Sequence, residues 1–345
     1  MADIPTRPPG ARAGAQTPVA FVRAVLLAYA RRGLDPAEAL RQAQITPDEI
    51  SDIDGCVSPL QFERLCLAAM RELDDEAPGW FRRRLPWGSY GMLARASISA
   101  PTLGLALARW CRHHGLLTDD VVLALEPHGP LAGVAIRERH DLGALREFAL
   151  LSLLRNLHGL ACWLADSRIT LVDAQFPFPA PAHAALYRRL FPGPVRFGAA
   201  QAGLRFDAHY LELPVRRDGA ALDQMLRRAL PILVWPYRRD RLLSHRVRQQ
   251  LQQARAVQTA ETLAHGLDLS VRSLHRQLRS EGTSVQRLKD EVRCAQASEL
   301  LLRTRLPIAR VARATGFASD KTFARAFRQW TGHTPQAWRQ RGAPA

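Results

Sequence analysis

The chain has 345 residues and a formal charge of +16. Its length exceeds the usual single domain, and an apolar share of 47% excludes wholesale disorder. The charge is uneven: residues 240–345 carry 19 Lys or Arg against 8 Asp or Glu, which points to a polyanionic partner, either nucleic acid or an anionic membrane.

Residues 1–17, rich in Pro, Gly and Ala, lack the apolar surface that would repay ordering and are expected to form a disordered tail. Arg23 interrupts the first apolar run, so neither a signal peptide nor a membrane span is expected there. From Pro18 the apolar positions Val22, Val25, Leu26 and Tyr29 recur at helical spacing, and Asp35-Pro36 reads as the cap and first residue of a second helix. A third is expected over 59–70. Val121 to Leu125, a Pro-His-Gly-Pro turn and Leu131 to Ile136 predict a hairpin. Helix is expected again over 142–164, short strands over 169–172 and 204–206, and a short helix near 182–190 between them. The first two thirds therefore read as mixed α and β.

After Ala220 the strand signals stop and the chain reads as successive amphipathic helices, with Pro231 and Pro236 marking a hinge. The expected organisation is an α+β N-terminal regulatory domain over 18–235 and a hinge over 236–244. An all-α domain follows over 245–341, with two helix-turn-helix units joined by a long helix over 284–303.

The helix-turn-helix reading rests on an internal repeat. Ser270-x3-Leu274-x-Arg276-x-Leu278 recurs as Ser319-x3-Phe323-x-Arg325-x-Phe327, displaced by 49 positions. Each copy follows a short helix ending in an apolar-Ala pair, Leu263-Ala264 or Val311-Ala312, and a turn containing Gly266 or Gly316. The alanines are small where helices cross closely, and the glycines permit the angles of a tight turn. Ser270 and Ser319 suit the helix starts, while Leu274, Leu278, Phe323 and Phe327 mark the buried face. The polar faces then hold the candidate DNA-reading residues: Ser270, Val271, Arg272, Ser273, His275 and Arg276 in one copy, Ser319, Asp320, Lys321, Thr322 and Arg325 in the other. Arg can grip guanine through a bidentate fork, and Ser or Thr can reach bases or phosphates in a major groove.

These residues resemble the DNA-binding domain of the AraC/XylS family of bacterial transcription regulators. The second unit carries the motif Ile308-Ala309-x2-Ala312-x3-Gly316-Phe317-x-Ser319-x3-Phe323-x-Arg325-x-Phe327, then Gly332-x-Thr334-Pro335-x2-Trp338-Arg339. Trp338 stands where the family pattern often has Tyr, a departure that keeps the packing role. A looser resemblance, carried by Gly88-x2-Gly91, Ser99 to Leu107 and Val195-x-Phe197-x6-Leu204-x-Phe206, links the N-terminal part to the arabinose-binding-type regulatory domain of a subgroup that includes ornithine-utilisation and virulence regulators. It implies effector sensing and dimerisation, with RNA polymerase as a further partner.

Other classes have little to stand on. No phosphate-cradling glycine loop, G-x-S-x-G elbow or H-E-x-x-H pair is present, so no enzyme, cofactor or metal site is expected. Five cysteines with no C-x-x-C pair fit neither a disulfide framework nor zinc, and a reducing cytoplasm is the expected home. Cys66 and Cys162 lie in apolar helical stretches and are expected to be buried. The remaining alternative is a non-enzymatic basic membrane-surface or scaffold protein; against it, the basic helices have aromatic faces that the repeat assigns to cores.

Overall fold

A computed structural model describes residues 17–191, 193–227, 240, 242–254 and 258–341. The chain divides into two compact units, Met1–Arg239 and Asp240–Ala345. Positions 1–16 of the expected tail, and most of the expected hinge, including Pro231 and Pro236, lie outside the described residues. At the edges of those segments the structure corrects the reading. Thr17 is already in a strand, and Leu243 and Ser244 already belong to a helix of the second unit.

The first unit starts with β1 (Thr17–Pro18), α1 (Val19–Arg31), α2 (Ala37–Ala43), α3 (Pro47–Ser51), β2 (Cys56–Val57) and α4 (Pro59–Glu72). β1 and β2 pair antiparallel. Capping boxes, Thr46 with Glu49 and Ser58 with Gln61, set the starts of α3 and α4, each followed by a proline at the first helical position. α2 begins one residue later than expected: Pro36 is its cap, and the Asp35 carboxylate accepts the Ala37 amide at 2.9 Å. α5 (Ser89–Ile98) and α6 (Leu103–His114) occupy a stretch to which the pattern assigns no element.

The hairpin β3 (Val121–His128) and β4 (Leu131–Glu138) is longer than expected. Pro127 and His128 belong to the strand, and the turn is Gly129-Pro130 with Gly129 at φ 63°. α7 (Arg146–Ala165) follows, then β5 (Leu171–Phe176), α8 (Ala184–Leu190), β6 (Val195–Phe197), β7 (Ala202–Asp207) and α9 (Gly219–Leu226). The five-stranded sheet runs β3-β4-β7-β5-β6, and only β5 and β6 are parallel. A bulge in β5 at Val172 precedes Asp173, which is buried yet ion-paired to Arg205 of β7 at 2.9 Å. Among the described residues, one helical stretch, Gly143–Ala165, is long and apolar enough to cross a membrane. It is buried inside the unit, as an all-round apolar core helix should be.

The second unit is wholly helical among its described residues: α10 (Leu243–Gln253), α11 (Ala260–His265), α12 (Val271–Ser280), α13 (Val285–Arg303), α14 (Ile308–Ala314), α15 (Asp320–Thr331) and α16 (Pro335–Arg341). Ser284 caps the long helix by accepting the Arg287 amide at 3.2 Å. Two separate cores form. One joins Val247, Leu263, Leu274, Leu278, Val285 and Leu288; the other joins Ala297, Leu301, Val311, Ala312, Phe323 and Phe327. α13 contributes its first half to one core and its second half to the other.

Candidate nucleic-acid interface

Each unit presents its second helix by the same local chemistry. Ser270 accepts the Ser273 amide at 3.1 Å at the start of α12, and Ser319 accepts the Thr322 amide at 3.3 Å at the start of α15. The hydroxyls also pair, Ser270 with Ser273 at 2.9 Å and Ser319 with Thr322 at 3.0 Å. Four of the candidate readers thus fix the helix starts. Leu274, Leu278, Phe323 and Phe327 are fully buried. That burial holds each helix by one side and turns the other outward.

The turns before these helices share a bond but differ in residues. The Leu269 amide donates to the Ala264 carbonyl, and the Phe317 amide to the Ala312 carbonyl, both at 2.9 Å. The left-handed position in between is Gly316 at φ 81° in the second turn but Asp268 at φ 56° in the first. Gly266 has an ordinary φ of −65°, so the expectation that both glycines supply unusual backbone angles holds only for Gly316. Gly266 instead leaves room for Gln250, whose amide nitrogen donates to its carbonyl at 2.9 Å.

On the outward face, Arg272, Arg276 and Arg279 follow one another at helical spacing along α12, and Lys321, Arg325 and Arg328 along α15. All six are exposed, and among the described residues none is ion-paired. Uncompensated cations in a row on a convex helix suit a phosphate-lined groove. Glu281, just after α12, accepts the Leu243 and Ser244 amides at 2.8 Å each, so its charge is spent at the start of α10.

Comparison with known proteins finds two family matches. Residues 33–215 match the arabinose-binding domain of AraC transcription regulators, and residues 263–341 match a helix-turn-helix domain. The chain belongs to the AraC family of transcription regulators. It is similar to the ornithine utilization regulator of Pseudomonas aeruginosa, with 30% identity over 325 residues, covering 94% of this chain and 96% of that one. It also resembles the regulator VirS of Mycobacterium tuberculosis, with 27% identity over 323 residues, covering 90% and 92%. A solved DNA-binding domain of AdpA, in complex with a target DNA, shares 30% identity over 29% of this chain and 91% of that one, with a TM-score of 0.26.

In this AraC-family chain the structure separates the candidate readers into groups. Arg272, His275 and Arg276, with Lys321 and Arg325, are free to project outward. Val271 is half-buried against the first core, so packing accounts for it. Asp320 accepts the Lys321 amide at 3.0 Å within the first turn of α15, where a negative charge stabilises the helix end. Arg279 and Arg328 are absent from the candidate set although both are exposed. The signal that finds them is the repeat itself, since they stand 49 positions apart, like Arg276 and Arg325.

Among the described residues no group of three or more His, Cys, Asp and Glu is placed to hold a metal ion. Two histidines of the first unit, His114 and His158, are buried, and His158 Nε2 lies 2.9 Å from the Ile169 carbonyl oxygen. Burial alone pushes His114 down to about 4, and burial, followed by the Arg155 charge, pushes His158 down to about 3. Cys66 and Cys162 are buried, and burial pushes the Cys66 thiol up to about 12.

Proposed function

We propose that α12 and α15 enter consecutive major grooves of one duplex, and that Arg272, Arg276, Arg279, Lys321, Arg325 and Arg328 carry the contacts. The observation behind this reading is the duplicated cationic row on two exposed helices anchored to one connecting helix. α13, at 19 residues, is about 28 Å long at 1.5 Å per residue, close to one DNA turn of about 34 Å. His275, Ser273 and Thr322 supply shorter-range base or phosphate contacts. Footprinting of the full chain on the promoter nearest its own gene tests the reading: two protected patches one helical turn apart are expected. Unchanged base preference in both Arg276→Ala and Arg325→Ala would remove the assignment of roles.

The arabinose-binding-type unit supports three further parts of the reading. A small cytoplasmic metabolite binds it and shifts the chain between states of different DNA affinity, typically by about 1 to 3 kcal/mol. The relative named for ornithine utilization makes an amino acid one effector class to test. Two chains pair through the same unit, raising avidity by about 10² to 10⁴ through effective concentration, and RNA polymerase is the partner on which the bound dimer acts. Sedimentation of the full chain, with gel shifts at one fixed salt concentration, checks the dimer: a monomeric full chain on DNA would exclude it.

A further inference from the structure

We propose that the effector site of this protein is the cavity between α4, α5 and the C-terminal end of α9, and that it takes a small metabolite with a carboxylate on an aliphatic chain. The proposal rests on the effector reading above and gives that reading a place and a chemistry. The cavity measures about 350 Å³, within the range of small-ligand sites, and combines apolar walls with a few polar groups in the usual way. Leu67 and Met70 of α4 and Leu226 of α9 supply the aliphatic wall. Trp87 stands at the rim, 47% exposed, with the Arg71 guanidinium 5.2 Å from its ring centre.

The polar groups favour an anion. Arg71, Arg95 and Arg227 all line the cavity. Arg95 is paired with Asp223 at 3.2 Å, but among the described residues neither Arg71 nor Arg227 has a carboxylate at ion-pair distance. Glu76 is occupied elsewhere: its carboxylate accepts the Gly88 amide at 2.7 Å and the Tyr90 amide at 2.6 Å, which holds the turn bearing Trp87. Two guanidinium forks beside an apolar wall match one carboxylate with a hydrocarbon tail. The neighbouring depression of about 440 Å³ on the other side of Arg71 lacks an aromatic wall.

The site is also placed to report its occupancy. α9 sits close on α5 because Gly91 has no side chain; a Cβ there would lie 3.3 Å from a Leu226 methyl. The Arg95 and Asp223 pair ties the same two helices. α9 is the last described element before Asp240, where the DNA-binding unit begins. A ligand that draws Arg227 and Leu226 towards α4 would shift the C-terminal end of α9.

The test uses the full chain with two probes, L-ornithine and octanoate, and the neutral amide of each, in thermal-melting and calorimetric titrations. One or both carboxylates should bind and raise the melting temperature, and the amides should not. Arg71→Gln and Arg227→Gln should each weaken binding by roughly tenfold or more, as loss of a charged hydrogen bond implies. Arg64→Gln, on the outer side of α4, should leave the affinity for the probe unchanged. Direct comparison of the ornithine and octanoate affinities separates the two sources of the carboxylate. Failure of both carboxylates to bind, or equal affinity in wild type, Arg71→Gln and Arg227→Gln, would overturn the site. A dialysable cell extract in the gel shift keeps the two readings apart. If the extract changes operator binding and neither probe binds, the effector reading survives and this cavity is wrong. If a probe binds through Arg71 and Arg227 and neither it nor the extract changes operator binding, the cavity survives and the regulatory reading is wrong.

Discussion

The two helix-turn-helix units share an outward face and a capping serine and differ in the side chains of their cores and in their anchors. Arg272, Arg276 and Arg279 have Lys321, Arg325 and Arg328 as their counterparts, each 49 positions on. Behind them, the first unit is built from aliphatic side chains, Leu263, Leu274, Leu278 and Leu288, whereas the second stacks aromatic rings. Phe317 lies 5.5 Å from Phe323, Phe323 5.6 Å from Phe327, and Phe327 5.9 Å from Trp338. The anchors differ too. The first unit is tied to α10 through Glu281, while the second is closed by Arg339 of α16, whose guanidinium donates to the Leu306 carbonyl at 2.5 Å. A core tolerates exchange of one apolar set for another of suitable volume. A face that must meet a regular polyanion has less freedom, and the pair separates the two kinds of constraint.

The largest expected effect comes from breaking the cores unequally. Phe323→Ala should destabilise the DNA-binding unit by about 3 to 5 kcal/mol, and Leu274→Ala by about 2 to 5, because both side chains are fully buried and leave cavities of different size. Urea unfolding of each variant checks the order; a smaller loss for Phe323→Ala would mean that the aromatic core relaxes around the gap. Next come the outward faces. Arg276→Ala and Arg325→Ala should each cost about 1 to 3 kcal/mol of operator discrimination. Their effects should add in the double variant to within about 0.5 kcal/mol if the helices occupy separate grooves. Strong non-additivity in titrations at fixed salt would merge the two readers into one site.

Glu281→Ala tests an anchor found in the first unit. It removes the acceptor of two amides at the start of α10 and should cost about 0.5 to 2 kcal/mol in thermal unfolding, the range for loss of a helix cap. The last pair concerns the turns, where one effect is comparable and the other is the smallest. Gly316→Ala forces a side chain into the left-handed region and should destabilise by about 1 to 2 kcal/mol, although its Cβ would meet only ordinary contacts. Asp268→Gly relieves the equivalent position and should change stability by less than about 1 kcal/mol, with a gain expected. A loss there would show that the Asp268 side chain makes a local bond worth more than the backbone strain.

The same contrast explains what was legible in the sequence. The repeat was readable because Ser, Leu or Phe, and Arg keep one spacing, and spacing is what a helix converts into faces. The long helix over 284–303 and the strand pair around the Gly129 turn were readable for the same local reasons. Asp173 hides the true extent of β5: an acidic residue argues against a strand interior until its partner Arg205, 32 positions away, is known. β6 is three residues long and pairs with β5 only through the fold, and β1 and β2 are two residues each. At the interface, residue types disclosed the cationic face but not that Ser273 and Thr322 are engaged with their capping serines, nor that Val271 leans on a core. Arg279 and Arg328 lay within reach of the repeat arithmetic and needed only one more turn of helix.

Because α13 belongs to both cores, it acts as a ruler whose graduations are those of the α-helix. Inserting one residue into its middle would advance the second reader by about 1.5 Å and rotate it by about 100°, and four residues would be needed to restore the facing approximately. Operator sites for this chain should therefore tolerate base changes more readily than changes in the number of base pairs between the two contacted grooves. Variation in α13 among working copies of the protein should consist of substitutions and not of length.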